Sequence, residues 1–381
     1  MSEWKECKIA DAPFEIIDGD RGTNYPKQDE FNQNGYCLFL NAKNVTTDGF
    51  AFDECYFISK EKDEILRKGK LRRNDIVLTT RGTVGNIGFF NERIPYEHIR
   101  INSGMVIIRP DPEDILPEYT HQLFKYLKGD FDVFATGSAQ PQLPIRDLKE
   151  ISFSLPPLPE QRAIASVLSS LDDKIDLLHR QNKTLEGMAE ALWRKMFVEE
   201  ADPGWKKGKL GDVVKIVYGK NLPTSELTES GYPVFGANGQ IGYYKEYLYA
   251  SPQVLISCRG EASGKVNFSC ASAFVTNNSL VLEIPITSVL NYEFLKYWAF
   301  ASDFTLYVTG SAQPQITIEE LRMAEIDIPS EEKISHFSAV VATYENKRIH
   351  NYEQIANLVK LRDTLLPKLM SGEVRVRYES N

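Results

Sequence analysis

The heptapeptide Thr-Gly-Ser-Ala-Gln-Pro-Gln occurs twice, at Thr136–Gln142 and at Thr309–Gln315, so its two copies stand 173 residues apart. The lag holds without a gap downstream, where Leu148 matches Leu321, Pro156 matches Pro329, Leu185 matches Leu358, Leu192 matches Leu365 and Lys195 matches Lys368. Solenoid repeats recur every 20 to 50 residues or so. A period this long means that a whole domain and the helix following it are present twice.

The 381 residues, 42% of them hydrophobic, supply material for two or three domains, and the duplication selects two globular units, each followed by a helix. A formal net charge of −9 excludes a globally basic coat for nucleic acid. Any DNA contact must then come from local basic patches or from a basic partner. Five cysteines (Cys7, Cys37, Cys55, Cys258, Cys270) are scattered with no Cys-x-x-Cys pair, which reads as free thiols in a reducing cytoplasm. Charges interrupt Met1 to Phe14, and no apolar run approaches the roughly 18 residues of a membrane span. A soluble, cytoplasmic protein with no membrane partner is expected.

From Trp4 to about Ser154 the chain reads as short strands punctuated by Gly, Asn and Asp: Tyr36 to Asn41, Asp75 to Thr80, Asn86 to Phe90, Gly104 to Arg109, and Ile151 to Leu155. A helix is expected over Asp114 to Leu127, with Pro117 near its start. A second unit begins at Trp205, the counterpart of Trp4, with strands at Val254 to Cys258, Lys265 to Ser269 and Ser279 to Ile284 and a helix over Asn291 to Ala301. Ile76 to Gly82 matches Gln253 to Gly260 in pattern, and Asn102 to Ile107 matches Asn277 to Leu282. Elsewhere the globular parts have diverged.

After Pro156, Ile164, Leu168, Leu171, Ile175, Leu178, Asn182, Leu185, Ala189, Leu192 and Met196 follow one another by alternating fours and threes. That is a heptad seam, and it predicts a helix over Glu160 to Phe197, about 57 Å long. An amphipathic helix packed on its own domain is the plainer alternative. Asn182 lies on the seam, where one polar residue costs stability but fixes register. A second helix, about Glu331 to Met370, carries Phe337, Val341, Tyr344, Ile355, Leu358, Leu365 and Leu369 at matching offsets. Arg348, Asn351 and Arg362 are read as interruptions of this stripe, and Pro367 is expected to kink the last turn. Two such stripes in one chain most simply bury each other.

Catalytic motifs fail one by one. Gly260 to Lys265 is a residue short of a phosphate loop and lacks its Ser/Thr, and the Gly82, Gly85, Gly88 series is not the dinucleotide fingerprint. The five histidines have no metal-ligand spacing, and His179, His336 and His350 are expected to face solvent. No paired acidic cluster suits two magnesium ions, and no Asn/Asp-Pro-Pro-aromatic tetrapeptide of the amino-methyltransferase kind occurs. No metal or cofactor is expected on this chain.

Binding has more to stand on. Arg67, Lys68, Lys70, Arg72 and Arg73 cluster before the strand that ends at Arg81, and Lys206, Lys207 and Lys209 open the second unit, with Lys215 and Lys220 nearby. For any single one of these a solvated face is the simpler account, yet phosphate contacts on an acidic chain must lie in such clusters. Gln140, Gln142, Gln313 and Gln315 flank the loop prolines, and glutamine can pair with adenine. An identical loop cannot read two different sequences, however, so these residues are expected to position the loop or touch the DNA backbone. The candidate DNA-binding set is Lys70, Arg72, Arg73, Arg81, Gln140, Gln142, Lys220, Arg259, Gln313 and Gln315.

A variable domain, then Gly-Ser-Ala-Gln-Pro-Gln, then Ile151 to Arg162 with its Pro-Pro-Leu-Pro-Glu-Gln, then the helix through Leu171 to Asp176, all repeated once, resembles the specificity subunit of type I restriction-modification enzymes. The closing Leu365 to Val374 resembles it too. The second copy departs from the pattern, with Pro329-Ser-Glu-Glu-Lys-Ile334 in place of the Pro-Pro-Leu-Pro-Glu-Gln form. The resemblance implies an α+β fold of two tandem β-rich target-recognition domains, separated by two long antiparallel coiled-coil helices and related by a pseudo-twofold. Residues 1–155 and 201–329 would be the recognition domains, 156–200 the central spacer helix and 330–381 the distal helix and tail. It further implies a non-catalytic reader of a bipartite, asymmetric site in double-stranded DNA. Two methyltransferase subunits using S-adenosylmethionine would dock on it, joined by motor-nuclease subunits using ATP and magnesium. Set against this are a coiled-coil scaffold with no DNA role and a self-contained DNA-modifying enzyme.

Overall fold

The computed structural model describes residues 4–137, 141–310 and 312–376. Its chain divides into two compact units: unit 1 is Met1–Leu177 with Gln354–Asn381, and unit 2 is Leu178–Glu353.

Unit 1 carries, in chain order, β1 (Lys5–Lys8), β2 (Phe14–Asp18), β3 (Cys37–Leu40), β4 (Val45–Thr46), β5 (Gly49–Phe50) and β6 (Phe57–Ile58). Then come β7 (Ile76–Thr79), β8 (Ile87–Phe89), β9 (Ile99–Ile101), β10 (Met105–Pro110) and β11 (Ser152–Leu155). The main sheet runs β2-β10-β7-β8 and a smaller one β6-β3-β9, in which β3 is parallel to β9. β7 is apolar up to its last residue, Thr79, and buried on both faces, because helix Pro117–Tyr126 shares a core with Ile76 and Leu78 while the small sheet packs against Val77. β1 pairs with β11, bringing the chain back to the entrance of the first long helix.

Unit 2 repeats this plan with β12 (Lys206–Lys209), β13 (Lys215–Tyr218), β14 (Tyr232–Gly236), β15 (Gly239–Tyr244) and β16 (Val254–Ser257). β17 (Val266–Phe268), β18 (Phe274–Val275), β19 (Ser279–Glu283) and β20 (Glu325–Ile328) complete it. Its main sheet is β13-β19-β16-β17, its small sheet β15-β14-β18 with β14 parallel to β18, and β12 pairs with β20. Each strand and helix named from the sequence is present, shifted by no more than a residue or two, apart from helix Pro117–Tyr126, which starts at its proline, and the first long helix, whose α-helical span ends at Arg194 and gives way to a π-helical turn over Lys195–Glu199.

The first long helix spans Leu158–Arg194 and the second Glu331–Met370, the latter running on through Pro367. The sequence explains the entry of the first. Pro156 and Pro157 cannot extend the helix backwards, and Gln161, almost fully buried, accepts from the Leu116 amide and donates to the Asp114 and Pro156 carbonyls. The neighbouring Glu160 carboxylate, also buried, accepts from the Trp4 indole and from the Arg375 guanidinium. In the second copy Lys333 stands where Glu160 stands in the first; it lies 4.9 Å from the Trp205 ring and donates to the Glu200 carbonyl.

Every heptad position of the first helix is buried or half-buried. The three residues expected to interrupt the second stripe do not break it. Within unit 2, Asn351 is buried and donates to Asn182, and Arg348 reaches Glu186 and Glu345. Within unit 1, Arg362 bonds Asp172, which also accepts from Gln122 and Lys125. A polar side chain on a seam is an interruption only when nothing polar faces it, and here something does.

Candidate nucleic-acid interface

The duplicated heptapeptide and the Arg-Gly pair that ends β7 or β16 are one structure in each unit. In unit 1 the loop closes on itself, with the Thr136 amide donating to the Gln142 carbonyl and the reverse bond also made, both 2.8 Å. It is then fastened to the sheet: the Gly82 amide donates to the Pro141 carbonyl at 2.9 Å, and the Leu143 amide to the Thr80 carbonyl at 2.8 Å. In unit 2 the Thr309 and Gln315 backbones exchange bonds of 2.8 and 2.9 Å, Gly260 donates to the Pro314 carbonyl at 2.9 Å, and Ile316 donates to the Cys258 carbonyl at 3.1 Å. Arg81 bridges to Gln142 and Arg259 to Gln315.

Glycine is required beside each arginine for a conformational reason, since Gly82 has φ +82° and Gly260 φ +73° with open space around both. The turn places an arginine and a glutamine side by side at the end of a buried strand. Arg259, Gln313 and Gln315 are exposed, and Arg81 and Gln142 are half-buried. Leu143 and Ile316, directly after the loops, are buried in the cores and anchor them.

The other candidates scatter. Arg72 is exposed. Lys70 is paired with Asp63, a fully buried carboxylate that also holds Arg100. Burial opposes ionisation of Asp63, but the hydrogen bonds and charges of Lys70 and Arg100 outweigh it and hold its pKa below the usual carboxylate range. Arg73 is spent on the Asn91, Ile94 and Tyr96 carbonyls and lies 4.2 Å from the Phe90 ring. Lys70 and Arg73 are thus engaged within the fold. Lys220 is exposed, its backbone joined to Val275 and Asn277, while Lys215 pairs with Glu283. Gln140 lies outside the described residues. Residues that sequence reasoning missed include Thr79 and Ser257, buried at the ends of equivalent strands, whose hydroxyls tie down the adjoining turns.

Among the described residues no group of three or more His, Cys, Asp or Glu side chains could hold a metal, and no helix is long and apolar enough to cross a membrane. His179, His336 and His350 are exposed.

Two units of one plan, each presenting the same arginine-bearing turn, define a duplicated α+β binding protein. The family model "Type I restriction modification DNA specificity domain" matches residues 1–187 and 203–360, and the chain belongs to that family. It is similar to the MjaIX specificity subunit of Methanocaldococcus jannaschii, at 27% identity over 87% of this chain and 86% of the relative. The HindI specificity subunit of Haemophilus influenzae is 22% identical over 98% of this chain and all of that one. In fold it resembles the crystal structure of the type I restriction-modification S subunit from M. genitalium, with a TM-score of 0.63 and 18% identity over 96% of each chain. The chain is thus a specificity subunit, the non-catalytic DNA-recognition component of a type I system.

Proposed function

We propose that each unit engages one half of a bipartite, asymmetric site in double-stranded DNA. The observation that carries this reading is the turn built twice: Arg81-Gly82 on Pro141-Gln142 and Arg259-Gly260 on Pro314-Gln315, with the same hydrogen bonds in domains that otherwise share little sequence. A feature held constant between two different readers suits contacts to phosphate, which position a protein without specifying sequence. Arg81, Arg259, Gln142, Gln313, Gln315, Arg72 and Lys220 are assigned to that role, while Lys70 and Arg73 are left to support the fold.

The two long helices act as an antiparallel coiled-coil spacer. This is supported by partners whose numbers rise on one helix as they fall on the other, Asn182 with Asn351 and Glu186 with Arg348 in unit 2. The 173-residue lag would then be a pseudo-twofold, with 1–155 and 201–329 as recognition domains and 156–200 and 330–381 as spacer segments. The chain binds no cofactor of its own. Two methyltransferase subunits using S-adenosylmethionine, and motor-nuclease subunits using ATP and magnesium, assemble on it in the cytoplasm.

The test is DNA binding by the chain assembled with its methyltransferase partner. Arg81→Ala and Arg259→Ala are each expected to weaken binding about equally on all sequences and to lower the slope of log affinity against log salt by roughly one per lost contact. Unchanged affinity across a salt series would leave both arginines as structural residues.

A further inference from the structure

The two units share a sheet plan but differ in several connections, among them the one that follows β3 in unit 1 and β14 in unit 2. In unit 1, β3 hands over to β6 through residues 41–56, an excursion that folds the small hairpin β4–β5. In unit 2, β14 hands over to β15 through Ala237 and Asn238 alone. Both connections lie over the same strand of the shared plan. In unit 1 the Asn86 amide group donates to the Val45 carbonyl at 2.9 Å, and the Phe50 ring lies 2.6 Å from where a Cβ on Gly88 would stand. In unit 2 the Ala237 carbonyl accepts from the Ser257 hydroxyl and, at 2.9 Å, from the Asn267 amide. Asn86 and Lys265 each close the turn that begins at Arg81 or Arg259, so the connection borders the arginine turn in either unit; Lys265 is 3.5 Å from Asn238.

The backbone of each connection is held firmly while its tip is left outside. In unit 2 Asn238, Gln240 and Ile241 are exposed, and in unit 1 Thr47 and Asp48 are exposed at the tip of β4–β5. Two half-sites cannot be told apart by the Arg-Gly pair and the heptapeptide, which are the same in both units. The difference must come from residues that differ between the units, and this connection places such residues next to the arginine turn.

Building on the DNA-recognition reading above, we propose that this connection, together in unit 2 with Gln240 and Ile241 at the start of β15, is the base-reading element of each unit. Asn238 and Gln240 offer amides that suit adenine, and Ile241 offers an apolar surface for a thymine methyl. In unit 1 the acceptor-only carboxylate of Asp48 suits the cytosine amino group, with Thr47 beside it.

The experiment uses the full chain assembled with its methyltransferase subunits, and duplex libraries randomised in one half-site at a time. The double variant Asn238→Ala/Gln240→Ala is expected to lose about tenfold or more of its preference in the half-site read by unit 2, with the other half-site and the melting temperature unchanged. Thr47→Val/Asp48→Ala is expected to do the converse. If a variant retains wild-type preference in both half-sites, or loses affinity evenly across all sequences, the connection is not the reader, although DNA recognition by the chain stands. If the wild-type complex shows no sequence preference, the DNA-recognition reading fails and this proposal with it.

Discussion

The side-chain amide of Asn351 donates to the side-chain oxygen of Asn182 at 2.8 Å, with both residues almost fully buried. At the 173-residue lag the counterparts of this pair are Leu178 and Ile355, so the same position of the duplicated helices is apolar in one copy and amide in the other. The remaining amide atoms, Nδ2 of Asn182 and Oδ1 of Asn351, have no protein partner among the described residues. A facing pair of this kind costs stability and rejects registers in which either amide would meet a leucine.

Removing one amide therefore strands the other. Asn182→Ile and Asn351→Leu are each expected to destabilise unit 2 by about 1–3 kcal/mol, while the double variant, which copies the counterpart residues, is expected to be near neutral or more stable than wild type. Thermal melting of the four proteins in a double-mutant cycle checks this; additive losses would show that the pair does not act as one.

Asp172 ties three elements of unit 1 together through Gln122, Lys125 and Arg362. Burial alone would raise its pKa, but the Lys125 charge and the three hydrogen bonds hold it below the ordinary carboxylate value. A folded pKa below the unfolded one contributes stability that is complete above about pH 4 and is lost as pH falls through the folded value. Asp172→Asn should accordingly lower the melting temperature at pH 7 and flatten its fall on acidification. A melting curve with the wild-type pH slope would contradict this.

Burial pushes the Cys37 thiol up to about 12 and raises Cys7 and Cys258 as well, whereas Cys270 is exposed. Alkylation under native conditions should label Cys270 first and spare Cys37, since thiolate and access together set the rate. Mass spectrometry of a time course reads this directly.

Excising one heptad from each long helix, matched across the pair, should shorten the unread interval of the DNA site and leave both half-sites as they were. Mapping the methylated adenines is the measurement; the same interval after excision would mean that the helices do not set the spacing.

Local structure was largely legible because its signals are local. The buried β7 and β16 announce themselves as apolar runs, and the first heptad seam is uninterrupted. The second seam was harder to read, since Arg348, Asn351 and Arg362 look wrong until their facing partners are known. Ownership of charge was equally hidden. Counting lysines and arginines before Arg81 cannot reveal that Asp63 takes Lys70 or that three carbonyls take Arg73. The arginine turns and the heptapeptide were each visible in the sequence, but not their union, because backbone bonds such as Gly82 to Pro141 join segments far apart in the chain.

The two units are also unlike in how the chain supplies them. Unit 2 is one continuous stretch, Leu178–Glu353, and its core is complete once that stretch exists. Unit 1 is not: Leu369 and Met370 are buried in the same core as Ile76, Val106 and Phe131. A nascent chain emerging at about 5–20 residues per second must hold the core of unit 1 unfinished while all of unit 2 is made. The first domain to be synthesised is thus the last to close, and a chain cut short after unit 2 would leave the apolar face around Ile164 and Leu168 without its cover.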